Sequence, residues 1–171
     1  FIKPQKWIID KERKLLNNIL NFCNSNKINF EILSNYEKRN INFKKELNYY
    51  RNLILAKNWI IIPNIRNHSN KNNYFLIDSY EICVTMFSTL GFESFARNNK
   101  VAFFQQDNFF NLNDRNFGWP YTLPSKGNFY SNIVNYKEVS RILKYLLRIN
   151  KSLWMYEANK YKKFLLIRNN N

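Results

Sequence analysis

The sequence predicts an α/β fold in which an open, mainly parallel sheet of four or five strands is flanked by helices. Three observations predict it. Segments with helical spacing of apolar residues alternate along the chain with short, continuous apolar runs. Between Cys83 and Phe104, a strand, a helix and a second strand follow one another closely. Two further helical segments, at about residues 136–149 and 151–166, come last.

The composition indicates a folded and strongly basic protein. Hydrophobic residues make up 45% and aromatic residues 18% of the 171 residues, which excludes a disordered chain. The length suits one domain with a core of its own. The formal net charge is +15, from 27 basic and 12 acidic residues. Such a charge attracts the phosphates of nucleic acids, nucleotides or anionic lipids, but the lysines are spread along the whole chain.

Cysteine usage and hydropathy indicate the cellular compartment of the protein. Cys23 and Cys83 each lie in an apolar run, which favours buried thiols in a reducing compartment over a disulfide or a metal site. No run approaches 18 apolar residues, and the first residues lack the form of a signal peptide. We therefore expect a cytoplasmic protein, with a peripheral position at the inner face of the membrane left open.

The first part of the chain is predicted to contain two helices and two strands. Asp10 is expected to cap a helix whose apolar face ends at Cys23. The apolar segment 28–33 predicts a strand, and a second helix is expected at about 43–56. The run 59–62 predicts a buried strand that a proline ends.

Three polar or mixed segments connect the remaining elements. Residues 64–73 are predicted to form a loop that carries His68, the single histidine, which is interpreted as a solvated residue. Residues 78–82 are expected to form one helical turn. Residues 105–130 contain several turn residues and many aromatic residues, which predicts a long ordered loop.

The segment from Cys83 to Phe104 is predicted to be the functional centre. The runs 84–87 and 101–104 are apolar at successive positions, which is typical of parallel strands covered on both faces. Ligands of parallel sheets bind outside the carboxyl ends of the strands, which here means near Ser88 and Thr89, where the intervening helix is expected to begin.

The start of this helix offers groups that bind a phosphate. Its first N–H groups and the positive end of its dipole attract an anion. Ser88 and Thr89 add hydroxyl donors, and Gly91 lets a ligand come close to the backbone. Glu93 is placed to accept hydrogen bonds from the hydroxyls of an attached ribose. The alternative is that Ser88 is an ordinary N-cap and Glu93 an acid favoured by the dipole.

Other candidate residues are less specific. Asp107 and Asp114 are the carboxylates of the long loop that could approach a cleft, but turn formation is the simpler explanation for both. Lys126, beside Gly127, is a candidate phosphate contact, with a solvated loop lysine as the alternative. No His, Cys and Asp residues have metal-binding spacing, so neither a metal nor a cofactor is expected, and the catalytic residues are unknown.

The block T-M-F-S-T-L-G-F-E-S-F-A-R-N-N-K-V-A-F-F, residues 85–104, resembles a known signature. That signature, S-T-L-G-x-E-A-x-A-x-x-x-K-V-x-F-F, occurs in the C-terminal half of GT-B-type glycosyltransferases, especially proteins of surface-carbohydrate or O-antigen biosynthesis. Segments 117–120 and 126–129 also resemble that group. Lys3-Pro4-Gln5 faintly resembles the K-P-H-P turn of capsule sugar transferases that use CMP-linked donors. Gln5 replaces the histidine, so a plain strand-to-loop turn is the alternative.

The resemblance implies a Rossmann-like domain, half of a GT-B fold, that binds a nucleotide-sugar donor. Ser88, Thr89 and Gly91 would then contact the phosphates of the donor, and Glu93 its ribose. The implied reaction is transfer of the sugar to a surface polysaccharide or a lipid-linked acceptor without a metal. In it, the helix dipole and basic side chains stabilise the leaving nucleotide.

Catalytic bases of such enzymes usually come from an N-terminal domain. Because the chain begins at Phe1, we expect residues 1–171 to be a single donor-binding domain whose N-terminal acceptor domain is missing. The basic residues at 160–163 and the apolar run 164–167 suggest an amphipathic end. We expect it to dock on the partner domain, with an anionic membrane near a lipid-linked acceptor as the alternative. Two rival functions stay open. One is a basic nucleic-acid-binding α/β module, without any RNP, KH or helix-turn-helix signature, and the other is an inactive transferase-like scaffold.

Overall fold

A computed structural model describes residues 6–65, 71–86, 88–104 and 124–165. Contacts divide the chain into two compact units. Unit 1 comprises Phe1–Phe75 and Val134–Ser140, and unit 2 comprises Leu76–Ile133 and Arg141–Asn171. The described elements are α1 (Lys6–Asn26), β1 (Glu31–Leu33), α2 (Ile41–Leu53), β2 (Ile60–Ile62), α3 (Lys71–Asp78), β3 (Cys83–Thr85), α4 (Thr89–Ala96), β4 (Val101–Phe104), β5 (Tyr130–Ser131), α5 (Tyr136–Arg148) and α6 (Lys151–Leu165).

The strands pair in parallel and form two open sheets in the described part of the chain. In unit 1, β1 pairs with β2. In unit 2 the strand order is β3-β4-β5. The α/β class, the parallel strands and the two C-terminal helices are confirmed. The sequence predicts one sheet, whereas the described strands hydrogen-bond as a pair and a triplet.

Unit 1 has its core between two helices and the two-stranded sheet. Leu20 of α1 and Ile32 of β1 form a buried cluster with Leu53 and Ile54 at the end of α2. Burying a side chain of this size contributes about 1.5–3 kcal/mol. The cluster therefore holds both helices against the sheet.

The start of α1 differs from the prediction. The helix begins at Lys6, so Asp10 lies inside it and is not its N-cap. Asp10 instead accepts a hydrogen bond from Arg13 at 3.4 Å on the exposed side. An exposed pair of this kind contributes at most about 1 kcal/mol. The burial of the apolar face, rather than this acid, stabilises the helix.

Helix α3 occupies part of the segment that the sequence predicts to be a loop. It ends at Asp78, where the sequence predicts a helical turn to begin. Asn73 of this helix is 4% exposed and donates a hydrogen bond to the side-chain oxygen of Asn64 at 2.9 Å. This contact with Asn64, which lies just after β2, positions the polar helix. His68 lies outside the described residues.

Unit 2 is built around buried aromatic rings. Phe95 of α4 lies with its ring centroid 5.4 Å from that of Phe103 in β4 and 5.6 Å from that of Phe129. Phe129 lies 5.2 Å from Trp154 of α6, ring centroid to ring centroid. Such pairs contribute about 0.5–1.5 kcal/mol each beyond the area they bury. Phe95 and Trp154 also lie with their ring centroids 5.8 Å apart, so the rings join the sheet, α4 and α6 in one core.

The central strand-helix-strand unit is confirmed. β3 and β4 are parallel, and every residue of β4 is buried, as its continuous apolar run predicts. Arg97 is the C-cap of α4, and Asn98 follows with φ 69°, a left-handed conformation that asparagine tolerates. Arg97 also donates two hydrogen bonds to Asp78, which lowers the pKa of that carboxyl.

Strand β5 lies at the end of the segment predicted to be a long loop. Its two residues pair with β4, Phe103 being opposite Tyr130. Four predicted features lie outside the described residues, namely Lys3-Pro4-Gln5, Asp107, Asp114 and the segment 117–120.

Candidate functional site

The carboxyl ends of β3, β4 and β5 lie at one edge of the sheet in unit 2, because the strands are parallel. Thr85 is opposite Phe103, which is opposite Tyr130. We define the carboxyl-edge site as this edge together with the start of α4 (88–91) and the segment 125–132, which contains β5 and the turn before it. Parallel sheets bind their ligands at such an edge.

Ser88 is the N-cap residue of α4, but its side chain does not cap the helix. Its backbone is extended, with φ −70° and ψ 128°, as at other N-caps, and its hydroxyl makes no capping hydrogen bond. Its own N–H donates to Oγ1 of Thr85 at 3.2 Å, which fixes the turn between β3 and α4. The exposed hydroxyl is therefore not used for the ordinary purpose of an N-cap side chain.

The first turn of α4 carries the positive end of the helix dipole. The first N–H groups of a helix have no acceptor within it, and together they act as about half a positive charge. Gly91 is satisfied, since its N–H donates to the carbonyl of Ser88 at 3.0 Å. Thr89 is exposed at the first helical position. Ser88, Thr89 and the amides next to them therefore remain the candidate anion contacts.

At Gly91 the backbone of α4 lies in close contact with β3. A Cβ added there would lie 2.5 Å from Cβ and Cγ2 of Thr85 and 2.7 Å from its Oγ1. Those distances are far below van der Waals contact, so helix packing on the strand explains the glycine. A ligand contact at Gly91 stays a prediction.

Glu93 lies in the second turn of α4 and is half-buried. Its carbonyl accepts a hydrogen bond from the N–H of Arg97 at 3.1 Å. The next residue, Ser94, is 1% exposed and accepts a hydrogen bond from the side chain of Asn99 at 3.2 Å. The contact that the sequence predicts between Glu93 and a ribose stays a prediction.

Lys126 lies on a tight turn at the same edge of the sheet. It forms an antiparallel bridge with Ser131, and the N–H of Gly127 donates to the carbonyl of Tyr130 at 2.9 Å. A Cβ added at Gly127 would overlap the ring of Tyr130, so the turn requires glycine. Burial, with smaller contributions from Tyr161, raises the pKa of Tyr130 to about 12. The Lys126 side chain is exposed.

Helices α5 and α6 hold this turn in place. Nη2 of Arg141 donates to the carbonyl of Gly127 at 2.6 Å. Nδ2 of Asn128 donates to Oε1 of Glu157 at 2.8 Å, and Glu157 also accepts from the hydroxyl of Tyr145. No local sequence pattern predicts these hydrogen bonds, since the partners are 14 and 29 positions apart. The position of the turn that carries Lys126 therefore depends on the packing of α5 and α6.

The start of α4 and the Lys126 turn lie on opposite sides of β4. Neighbouring strands are about 4.8 Å apart, so β3 and β5 are separated by roughly 10 Å. Lys126 bridges to Ser131 on the side of β5 that faces away from β4, about one strand spacing further out. Hydroxyl and amide donors therefore lie at one end of the edge and a lysine at the other, roughly 15 Å apart. This arrangement would suit an elongated ligand with negative charge at both ends, or one phosphate at a time.

A family model described as "putative O-antigen biosynthesis protein" matches residues 8–169. The chain belongs to this O-antigen biosynthesis family. The match extends over both units, and it links the chain to the biosynthesis of O-antigen, as the resemblance of residues 85–104 implies. No curated protein and no solved structure matches the chain.

Two further findings concern metals and membranes. Among the residues in the described ranges, no group of three or more His, Cys, Asp or Glu side chains could hold a metal ion. Of the helices that the structure describes, none combines the length and the apolar character needed to cross a bilayer.

Proposed function

We propose that this chain is the donor-binding half of a GT-B-type glycosyltransferase of O-antigen biosynthesis. It binds a nucleotide-sugar at the carboxyl-edge site, and the sugar passes to a surface polysaccharide or a lipid-linked acceptor. The observation that carries the proposal is the Ser88 hydroxyl, which makes no capping bond although it stands at a helix start on the carboxyl end of a parallel strand. Family membership and the net charge of +15 support it.

The proposed roles follow from the charges at the site. Ser88, Thr89 and the first amides of α4 donate hydrogen bonds to a phosphate of the donor, and Glu93 accepts from ribose hydroxyls. Lys126, on its fixed turn, approaches the negative charge from the other side of the edge. When the bond between the sugar and the phosphate oxygen breaks, the electron pair stays on the nucleotide. Preorganised donors and a cation stabilise that charge without a metal ion.

The test is nucleotide binding to the chain itself. We expect one of UDP, GDP and CMP, or a sugar ester of it, to raise the melting temperature, because a ligand of the native state stabilises it by about 2.7 kcal/mol at 100 times Kd. Ser88→Ala should weaken that binding about 10- to 100-fold, since a hydrogen bond to a charged group contributes about 1.5–3 kcal/mol. Calorimetric titration measures the affinity.

Ser152→Ala is the matched control. Ser152 is an exposed serine in the first turn of α6, so the variant makes the same chemical change at another helix start. It should bind the nucleotide as the native chain does. Loss of affinity in both variants, or none in Ser88→Ala, would refute the assignment of the site.

The rival functions give different results in the same experiment. Oligonucleotide affinity that falls steeply with salt and does not change in Ser88→Ala would favour a nucleic-acid-binding module. The absence of binding by every nucleotide and nucleotide-sugar would favour an inactive scaffold. Either result would overturn the proposal.

A further inference from the structure

Helices α5 and α6 carry positive charge beyond Arg141, whose Nη2 supports the Lys126 turn of the carboxyl-edge site. From Arg141 to Lys163 the sequence contains seven basic residues and one acidic residue, Glu157. That one carboxylate accepts hydrogen bonds from Asn128 and Tyr145. The segment therefore presents a clear excess of cations to solvent.

The cations of α5 lie in a row on its exposed side. Arg141, Lys144 and Arg148 follow one another at spacings of three and four residues, which places them on one helix face. All three are exposed, whereas Ile142 and Leu146 on the other side are fully buried. Like charges at this spacing repel one another. An anionic surface opposite the row would remove that repulsion.

Exposed apolar side chains accompany these cations. On α6, Leu153 is 58% and Tyr156 is 66% exposed, and they share a face with Lys160 at positions i, i+3 and i+7. Nζ of Lys160 lies 4.1 Å from the ring centroid of Tyr156. Leu147, at the end of α5, is 38% exposed. Lys151 begins α6 and is exposed between these groups in the sequence.

The opposite side of α6 is fixed to the protein. Nε1 of Trp154 donates to the carbonyl of Asn98 at 3.0 Å. Nζ of Lys162 donates to the carbonyl of Ala96 at 3.2 Å and to the side chain of Asn98. These contacts of Lys162 lie within unit 2, and docking of the basic end on a partner domain stays a prediction. The exposed stripe belongs to an anchored helix.

We propose that this surface docks unit 2 on an anionic lipid bilayer. We define the docking surface as the exposed residues Arg141, Lys144, Leu147, Arg148, Lys151, Leu153, Tyr156 and Lys160. Basic side chains attract anionic headgroups, while leucine and tyrosine side chains enter the interface between headgroups and acyl chains. A nucleic acid would satisfy the cations but offers no apolar layer for Leu147 and Leu153. The inference does not depend on the sugar-transfer proposal.

The test is co-sedimentation with vesicles of phosphatidylcholine alone and of phosphatidylcholine mixed with phosphatidylglycerol. We expect the native chain to bind the mixed vesicles, with affinity that falls as salt is added. The triple variant Lys144→Gln, Arg148→Gln, Lys151→Gln should bind them roughly 100-fold more weakly, since each basic residue near an anionic membrane surface contributes about a fivefold gain.

A second triple variant controls for net charge. Lys14→Gln, Lys38→Gln and Lys44→Gln remove three exposed lysines from unit 1 and change the net charge by the same amount. This control should keep the native affinity for the vesicles. Equal losses in the two triple variants would mean that charge alone attracts the chain, and would overturn the docking surface.

The apolar contribution is tested separately. The variant Leu153→Ser, Tyr156→Ser should lower vesicle affinity at every salt concentration and leave the slope against salt unchanged. Thermal melting confirms that each variant is folded.

Failure of the native chain to bind mixed vesicles refutes the proposal. If the first triple variant loses affinity for oligonucleotides and not for vesicles, the surface binds nucleic acid, and the docking proposal is also refuted. Nucleotide affinity should stay native in every variant, so this failure is distinguishable from failure of the transferase proposal.

Discussion

Gly91→Ala tests whether α4 is set by its contact with β3. In an ordinary helix this substitution stabilises by up to about 1 kcal/mol, because glycine is a poor helix former. Here the new Cβ would lie 2.5 Å from two carbon atoms of Thr85. Thr85 is 6% exposed and β-branched, so its side chain has little freedom to turn away. Overpacking of a buried contact costs about 1–3 kcal/mol, and we expect a net loss of about 1–2 kcal/mol.

The assay is urea unfolding of a double-mutant cycle. Thr85→Gly removes the three atoms nearest to the new methyl group. The double variant Gly91→Ala, Thr85→Gly should therefore be more stable than the sum of the single effects by about 1 kcal/mol or more. Ser152→Ala serves as a control for helix propensity alone. If Gly91→Ala raises the free energy of unfolding as the control does, or the cycle shows no coupling, the close approach is not the reason for glycine.

Two further predictions concern buried ionisable groups. Burial raises the pKa of Glu12, and the hydrogen bond from Tyr49 offsets only part of that rise. The folded chain therefore holds a proton that the unfolded chain releases at the ordinary pKa, so stability falls as pH rises through the raised pKa. Glu12→Gln should be more stable than the native chain at pH 7 and not at pH 4; equal differences in urea unfolding at both would contradict this. Burial also raises the pKa of the Cys23 thiol to about 11, so at pH 8 roughly one thiol in a thousand is ionised. Iodoacetamide should label it slowly until the chain is unfolded, and rapid labelling of the folded chain, seen by mass spectrometry, would contradict its burial.

The central part of unit 2 could be predicted because local and tertiary preferences agree there. The run Val101–Phe104 is apolar at every position, and its four residues are all buried. Ser88 marks the start of α4, and Asn98 takes the left-handed conformation after it. Each of these sequence patterns lies in the same residues whose structure it predicts. The placement of Ser88 and Thr89 at the carboxyl end of β3 follows from the same signals.

The remaining features depend on contacts between distant residues. β5 has two residues and exists because Phe103 offers a ladder partner to Tyr130. α3 is rich in polar residues, and the buried contact of Asn73 with Asn64 locates it. The turn that carries Lys126 is held by helices that come later in the chain. Patterns in neighbouring residues do not predict such contacts. The sequence could therefore suggest Lys126 as a candidate phosphate contact, but not where its turn lies.

The aromatic core of unit 2 has a consequence for synthesis on the ribosome. Phe95 and Phe129 emerge before Trp154, whose ring closes the core, and the chain is made from its N-terminal end. The apolar strand β4 must therefore wait, without its full cover, until α6 has been translated. During that interval the nascent chain exposes a short segment of high β propensity, which is when it is most prone to aggregate and most in need of a chaperone.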